Sequence, residues 1–115
     1  MSYKNIEIAH LAKNCNETLI LSLLSREMKH GYQIALEIEN LSNDQFKFNH
    51  GTLYPILHKL EKDGLIRGRW REEGTSRKRK YYTLTGKGEE YLKAQRQAWD
   101  RFYNTFYTIL GAVTA

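Results

Sequence analysis

Apolar residues recur along this chain with two different periods, and the change of period marks out its parts. Leu19, Ile20, Leu21, Leu23, Leu24 and Met28 form a run that is apolar nearly all round. This predicts a central, buried helix, which Asn16 can cap. The stretch GYQIALEIENL, opened by Gly31, sets Ile34, Ala35, Ile38 and Leu41 on one helical face. NHGTLYPILHKLEKDGLI does the same with Leu53, Ile56, Leu57 and Leu60. Asp63-Gly64 closes that helix, with Gly64 suited to the left-handed position after the last turn. A weakly amphipathic helix over 3–13, carrying Ile6 and Leu11, precedes all three.

After Gly64 the period falls to two. Ile66, Gly68 and Trp70 alternate with Arg67, Arg69 and Arg71, which reads as a strand. EEGTSRK supplies a turn around Gly74, and RKYYTL returns with Tyr82 and Leu84 on one face. The two strands make a β-hairpin. Thr85 can then cap a last helix running to about Gly111. The fold class is mainly α with a small β-hairpin: a winged helix-turn-helix over 1–84, and a long C-terminal dimerisation helix over 85–115. In this plan the third helix of the compact core enters the DNA major groove, and the hairpin reaches the backbone or minor groove.

The helix around Pro55 holds the chain's only proline, with Gly51 just upstream. A start between Asn49 and Thr52 keeps the proline close to the first turn, where its missing N–H costs little. The outer face then carries Gly51, Pro55, His58 and Lys62, flanked by Tyr54 and Lys59. Gly51 permits close approach to a large flat partner. The N–H groups of the first turn favour a phosphate. Thr52, Tyr54 and His58 can donate hydrogen bonds, and Lys59 and Lys62 add charge.

Charge settles which partner that face suits. The net charge is +5. Over 67–80 there are seven basic residues (Arg67, Arg69, Arg71, Arg77, Lys78, Arg79, Lys80) and two acidic ones (Glu72, Glu73), an excess equal to that of the whole chain. On a wing, such a run grips phosphates, while the helix selects bases. Double-stranded DNA is therefore the expected partner. Thr52, Tyr54, His58 and Lys59 face the groove, and Arg77, Lys78, Arg79 and Lys80 hold the backbone.

Other chemistry is weakly supported. Cys15 is alone, so neither an intrachain disulfide nor a thiolate metal cage can form, and a small buried apolar role suits it. The four histidines lack metal-ligand spacing, and no catalytic constellation is recognisable, so no cofactor and no enzyme are expected. No apolar run approaches a membrane span, and the N-terminus lacks the apolar stretch of a signal peptide, which points to the cytoplasm.

GYQI at 31–34, GTLYPILHKLEKDGLI at 51–66, RKYYTLT at 79–85 and Gly88 closing the LTxxG turn together resemble the PadR family of bacterial transcriptional regulators. The resemblance covers essentially the whole chain. It implies a dimeric repressor that leaves its operator when a small, often aromatic molecule binds or the dimer geometry shifts. It also implies that Tyr32 meets a phosphate. Only about thirty residues follow the wing, similar to the short subfamily that includes multidrug-responsive repressors. In those, a tryptophan in the last helix faces its twin and stacks on flat ligands. Trp99 stands at the matching place.

The last helix points the same way on its own. Leu92, Trp99, Phe106 and Val113 are seven apart, and Phe102 and Ile109 form a second row, with Gln95 as the polar member of the seam. This predicts a two-fold homodimer, whose two reading helices would match a palindromic operator. Trp99, Phe102 and Tyr103 are the candidates for holding a planar aromatic guest. The plainer reading is that these rings fill the interface. Two rival functions stand beside the ligand-responsive repressor: a winged-helix protein-interaction module, and a DNA-binding regulator with no small-molecule effector.

Overall fold

The computed structural model describes residues 14–48, 50–74 and 77–114. The helix expected over 3–13 lies outside them, as does Asn49; so do the side chains of His50 and Val113. The described chain runs α1 (Cys15–Leu24), β1 (Lys29–His30), α2 (Gly31–Leu41), α3 (His50–Lys62), β2 (Ile66–Glu73), β3 (Arg77–Leu84) and α4 (Gly86–Thr114).

α1 is the central helix, as its apolar run requires, with Ile20 and Leu21 fully buried. Two details differ from expectation. The cap residue is Asn14 rather than Asn16, and its side chain makes no capping bond. Its amide instead donates to the Tyr91 hydroxyl at 3.3 Å, a tie to α4 that removes it from capping. Met28 falls beyond the end of α1 and is exposed. Around α1 gather Ile34 and Ile38 of α2, Leu53, Leu57 and Leu60 of α3, and Ile66, Tyr82 and Leu92. Each such side chain contributes roughly 1.5–3 kcal/mol by leaving water.

α3 begins at His50, so Pro55 sits inside the helix. With no N–H at Pro55, the Gly51 carbonyl loses its helical donor, a cost confined to one bond near the solvent-facing start. The other end closes as its sequence predicts. Gly64 takes φ +78°, Leu65 N–H bonds to the Leu60 carbonyl and Gly64 N–H to that of Glu61. This double bond reverses the chain straight into β2.

β2 and β3 pair antiparallel with Gly68 opposite Tyr82, Trp70 opposite Lys80 and Arg71 opposite Arg79. The hairpin is extended to three strands by β1, which pairs with β3 in the order β1-β3-β2. Two residues are too short to show a period, so this strand left no pattern to read. Its register sets His30 against Tyr81 and thereby fixes the start of α2 to the wing.

Thr85 caps α4, accepting the Gly88 N–H at 3.0 Å on its hydroxyl. Early in α4, Leu92, Gln95 and Ala98 are buried. Thr18 of α1 approaches Gln95 Oε1 at 3.5 Å. Leu92, expected on the dimer seam, is 5% exposed in the core of its own chain, as is Gln95 at 1%, which leaves them no surface for a second one. From Tyr103 onward the helix projects into solvent, and Tyr103, Phe106, Tyr107, Ile109 and Leu110 are exposed.

Candidate nucleic-acid interface

Three elements converge on one face: the start of α2, the first half of α3 and the wing. Between them lies a concavity of about 510 Å³, lined by His30, Tyr32, Tyr54, Trp70, Tyr82 and the basic run of β3 from Arg77 to Lys80. The sequence reading named Tyr32, Tyr54, Arg77, Lys78, Arg79 and Lys80, and the fold brings those six together. Thr52, His58 and Lys62 are exposed on α3 outside it.

The basic residues are not equivalent. Arg77 and Lys78 are exposed and form no ion pair among the described residues. Lys80 is drawn inward. Its amine lies 2.8 Å from Glu61 Oε1 on α3 and 5.5 Å from the centre of the Tyr82 ring. Glu61 also accepts the Gly68 N–H at 3.1 Å. A Cβ at position 68 would meet the far end of the Lys80 side chain and Glu61 Oε2, so glycine leaves this pair room beneath the strand. The hydrogen bond from Lys80 holds the Glu61 carboxyl below its ordinary range, and the same contact raises Lys80.

Arg79 joins a network on the opposite face of the hairpin. Its Nε is 3.5 Å from Glu73 Oε2, and one terminal nitrogen is 2.8 Å from His30 Nε2. Tyr81 donates to Glu73, and the Arg71 guanidinium lies 4.9 Å over the Tyr81 ring. His30 caps α2, its Nδ1 accepting the Gln33 N–H at 3.2 Å. Burial, and then the Arg79 charge, push His30 below the usual imidazole range, against a smaller opposing pull from Glu73.

Lys59 sits apart from the concavity. It turns to the other flank of α3 and meets Glu17 of α1 at 2.8 Å, which raises its pKa. This contact anchors α3 to α1, although the lysine side chain remains largely exposed.

Sequence reasoning missed His30 and Trp70 as members of this surface. Trp70 shares its face with buried Ile66, yet is 66% exposed because the wing runs past the core. A tryptophan among alternating arginines was the available signal. His30 carried one as well: it stands directly before a glycine-started helix, where a side chain with an acceptor caps.

A basic concavity walled by rings suits a sugar–phosphate strand: the charges meet phosphates, and the rings meet sugar or base. Among the described residues, no group of histidine, cysteine or acidic side chains could hold a metal ion. No helix among them is long and apolar enough to cross a membrane. Cys15 is half-buried, and that burial raises its thiol pKa.

The chain matches the family described as Transcriptional regulator PadR-like family over residues 20–94. It is 34% identical over 73 residues to the Negative transcriptional regulator PadR of Bacillus subtilis, covering 64% of this chain and 40% of that protein. The alignment thus spans less than half of that relative. The fold is similar to the PadR-like transcriptional regulator of Bacillus cereus, with TM-score 0.75 and 30% identity over 87% of this chain and 95% of the other. It is also similar to Bacillus subtilis PadR in complex with operator DNA, with TM-score 0.64 and 32% identity, covering 69% of this chain and 45% of that one.

Proposed function

Because this chain belongs to the PadR-like family of transcriptional regulators, which are not enzymes, we propose that it is a cytoplasmic, homodimeric repressor of operator DNA. Residues 1–84 serve as its DNA-binding part and 85–115 as its dimerisation helix. The observation that carries this reading is the concavity of His30, Tyr32, Tyr54, Trp70 and the β3 basic run beside the exposed face of α3. The related Bacillus subtilis PadR, solved with operator DNA, supports it. In this reading α3 enters the major groove with Thr52, Tyr54 and His58, and Arg77 and Lys78 take phosphates.

The dimer is formed by the projecting part of α4. Phe102, Phe106 and Ile109, with Trp99 at its base, meet the same residues of a second copy. A planar aromatic molecule stacks between the paired Trp99 rings, against Phe102 and Tyr103, and alters the spacing of the two reading heads. Such a guest acts only through different affinities for the two arrangements. One observation favours the effector-free reading instead. Trp99 already packs edge-on against Phe102 at 5.7 Å, and Phe102 stacks on Phe106 at 5.9 Å, so the rings partly satisfy one another within one helix. The basic concavity argues against a pure protein-interaction module.

One titration tests these readings together. The protein is held on duplex DNA from its own promoter while planar aromatic compounds are added, and occupancy and tryptophan fluorescence are followed. Trp99→Phe separates the Trp99 signal from that of Trp70. Quenching that tracks loss of DNA supports the ligand-responsive repressor. DNA binding that no compound perturbs supports the effector-free regulator, and failure to bind duplex supports the protein-interaction module.

A further inference from the structure

The contact between His30 and Arg79 contains a mismatch of hydrogen-bonding roles. A neutral imidazole has one acceptor nitrogen and one N–H, and a protonated one has no acceptor. Both ring nitrogens of His30 nevertheless face donors. Gln33 N–H points at Nδ1 from 3.2 Å, and an Arg79 guanidinium nitrogen lies 2.8 Å from Nε2. Taking the cap on α2 to fix Nδ1 as the acceptor places the proton on Nε2. Two donors then stand side by side at the rim of the concavity, with no acceptor between them among the described residues.

From this geometry we infer that His30 and Arg79 together form a binding site for one phosphodiester oxygen of the DNA backbone, with His30 acting as an uncharged donor locked in its Nε2–H tautomer by the cap on α2. An oxygen at the rim accepts from both nitrogens and removes the mismatch. The groups facing the imidazole agree with this assignment. Tyr32 stacks at 6.5 Å, Tyr81 meets the ring edge-on at 5.4 Å, Arg79 supplies positive charge, and Glu73 is occupied by Tyr81 and Arg79. Because a protonated ring could not accept from Gln33, the cap holds His30 neutral. The histidine therefore supplies direction and Arg79 supplies charge. This inference rests on the DNA-binding reading above and names one phosphate contact within it.

The two roles separate in a salt titration of duplex binding near pH 8. His30→Asn keeps a strong N-cap but cannot reach the phosphate. It is expected to melt like the parent and to bind both operator and unrelated duplex about tenfold more weakly, with the salt slope unchanged. Arg79→Gln is expected to shrink the slope by about 0.9, the value of one lost charge. The double variant should lose less than the sum of the two, because both groups hold one oxygen. Nitrogen NMR of the ring should show Nδ1 bare and Nε2 protonated, with Nε2 moving when DNA is added. Parent-like binding by His30→Asn, strict additivity, or a ring protonated at Nδ1 would each overturn the site. So would a response of Nε2 to inorganic phosphate but not to DNA. Absence of any duplex binding by the parent protein would be recognised separately, since it removes the DNA reading itself.

Discussion

Lys80 on the central wing strand lies 2.8 Å from Glu61 near the end of α3, with both side chains about three-tenths exposed. The pair joins the two elements proposed to grip DNA, and the Gly68 N–H gives Glu61 a second donor on the neighbouring strand. A partly buried pair with a backbone donor exceeds the usual value of a surface ion pair. Glu61→Ala leaves both donors without an acceptor, and is expected to lower stability by about 1–2 kcal/mol in urea unfolding. The Glu61 carboxyl is held below its ordinary value of 4.5, chiefly by Lys80. Its contribution is thus complete above about pH 4.5 and disappears as pH falls through the lowered folded value. Acid unfolding of Glu61→Ala should lose that part of the transition.

His30 gives a second, opposite case of linkage. Its folded pKa lies below the ordinary 6.5, first through burial and then through Arg79. The folded state therefore binds this proton more weakly than the unfolded chain does. Stability contributed by the neutral ring, including the cap on α2, is complete above pH 6.5 and is lost as pH falls through the lowered value. Thermal melting between pH 8 and pH 5 should show the parent losing more stability than His30→Asn, whose cap does not titrate. Equal losses would assign the pH dependence to other groups.

The fold was legible wherever a period or a punctuating residue ran long enough. The three-four spacing of Leu53, Leu57 and Leu60, the Gly64 stop and the Thr85 cap each appear as read, because each follows from local chemistry. β1 was not legible, since Lys29 and His30 are placed by pairing with β3 rather than by any pattern of their own. The basic run over 77–80 reads as a uniform phosphate grip, yet Lys80 turns inward. Only the register that sets Gly68 beside the Lys80 side chain shows that Glu61 lies within reach. Likewise, the seven-residue rows of the last helix ran through Leu92 without a sign that α1 covers its first turns.

The different settings of Lys59 and Lys78 predict different salt behaviour. Lys59 is paired with Glu17 at 2.8 Å, whereas Lys78 is exposed on the wing. If phosphates are met by the wing, Lys78→Ala should reduce the slope of log affinity against log salt by about 0.9. Lys59→Ala should leave that slope nearly unchanged while costing up to about 1 kcal/mol of stability through the lost tie to α1. A larger slope change for Lys59 would mean that this side chain leaves Glu17 for the DNA, and would put α3 deeper in the groove than its free geometry indicates.

The projecting end of α4 carries the prediction that bears on assembly. This helix has 29 residues and is about 43 Å long. Its early turns are covered by α1, but Phe106, Tyr107, Ile109 and Leu110 are 43–62% exposed along its outer half. A contiguous apolar stripe of this kind on a single helix calls for a partner. With α1 largely engaged in the core, the second copy proposed above would present the same stripe as a self-complementary surface. If the proposed dimer forms through this stripe, Phe106→Ser with Ile109→Ser should give a monomer in light scattering while leaving the melting of the winged core measurable, since neither side chain belongs to that core. Operator affinity should fall more than affinity for a half-site duplex, because only the paired molecule engages both halves. Trp99→Ala distinguishes packing from ligand binding at the base of the stripe. A dimer that persists but no longer takes up planar dyes assigns Trp99 to the guest, whereas loss of the dimer assigns it to the seam.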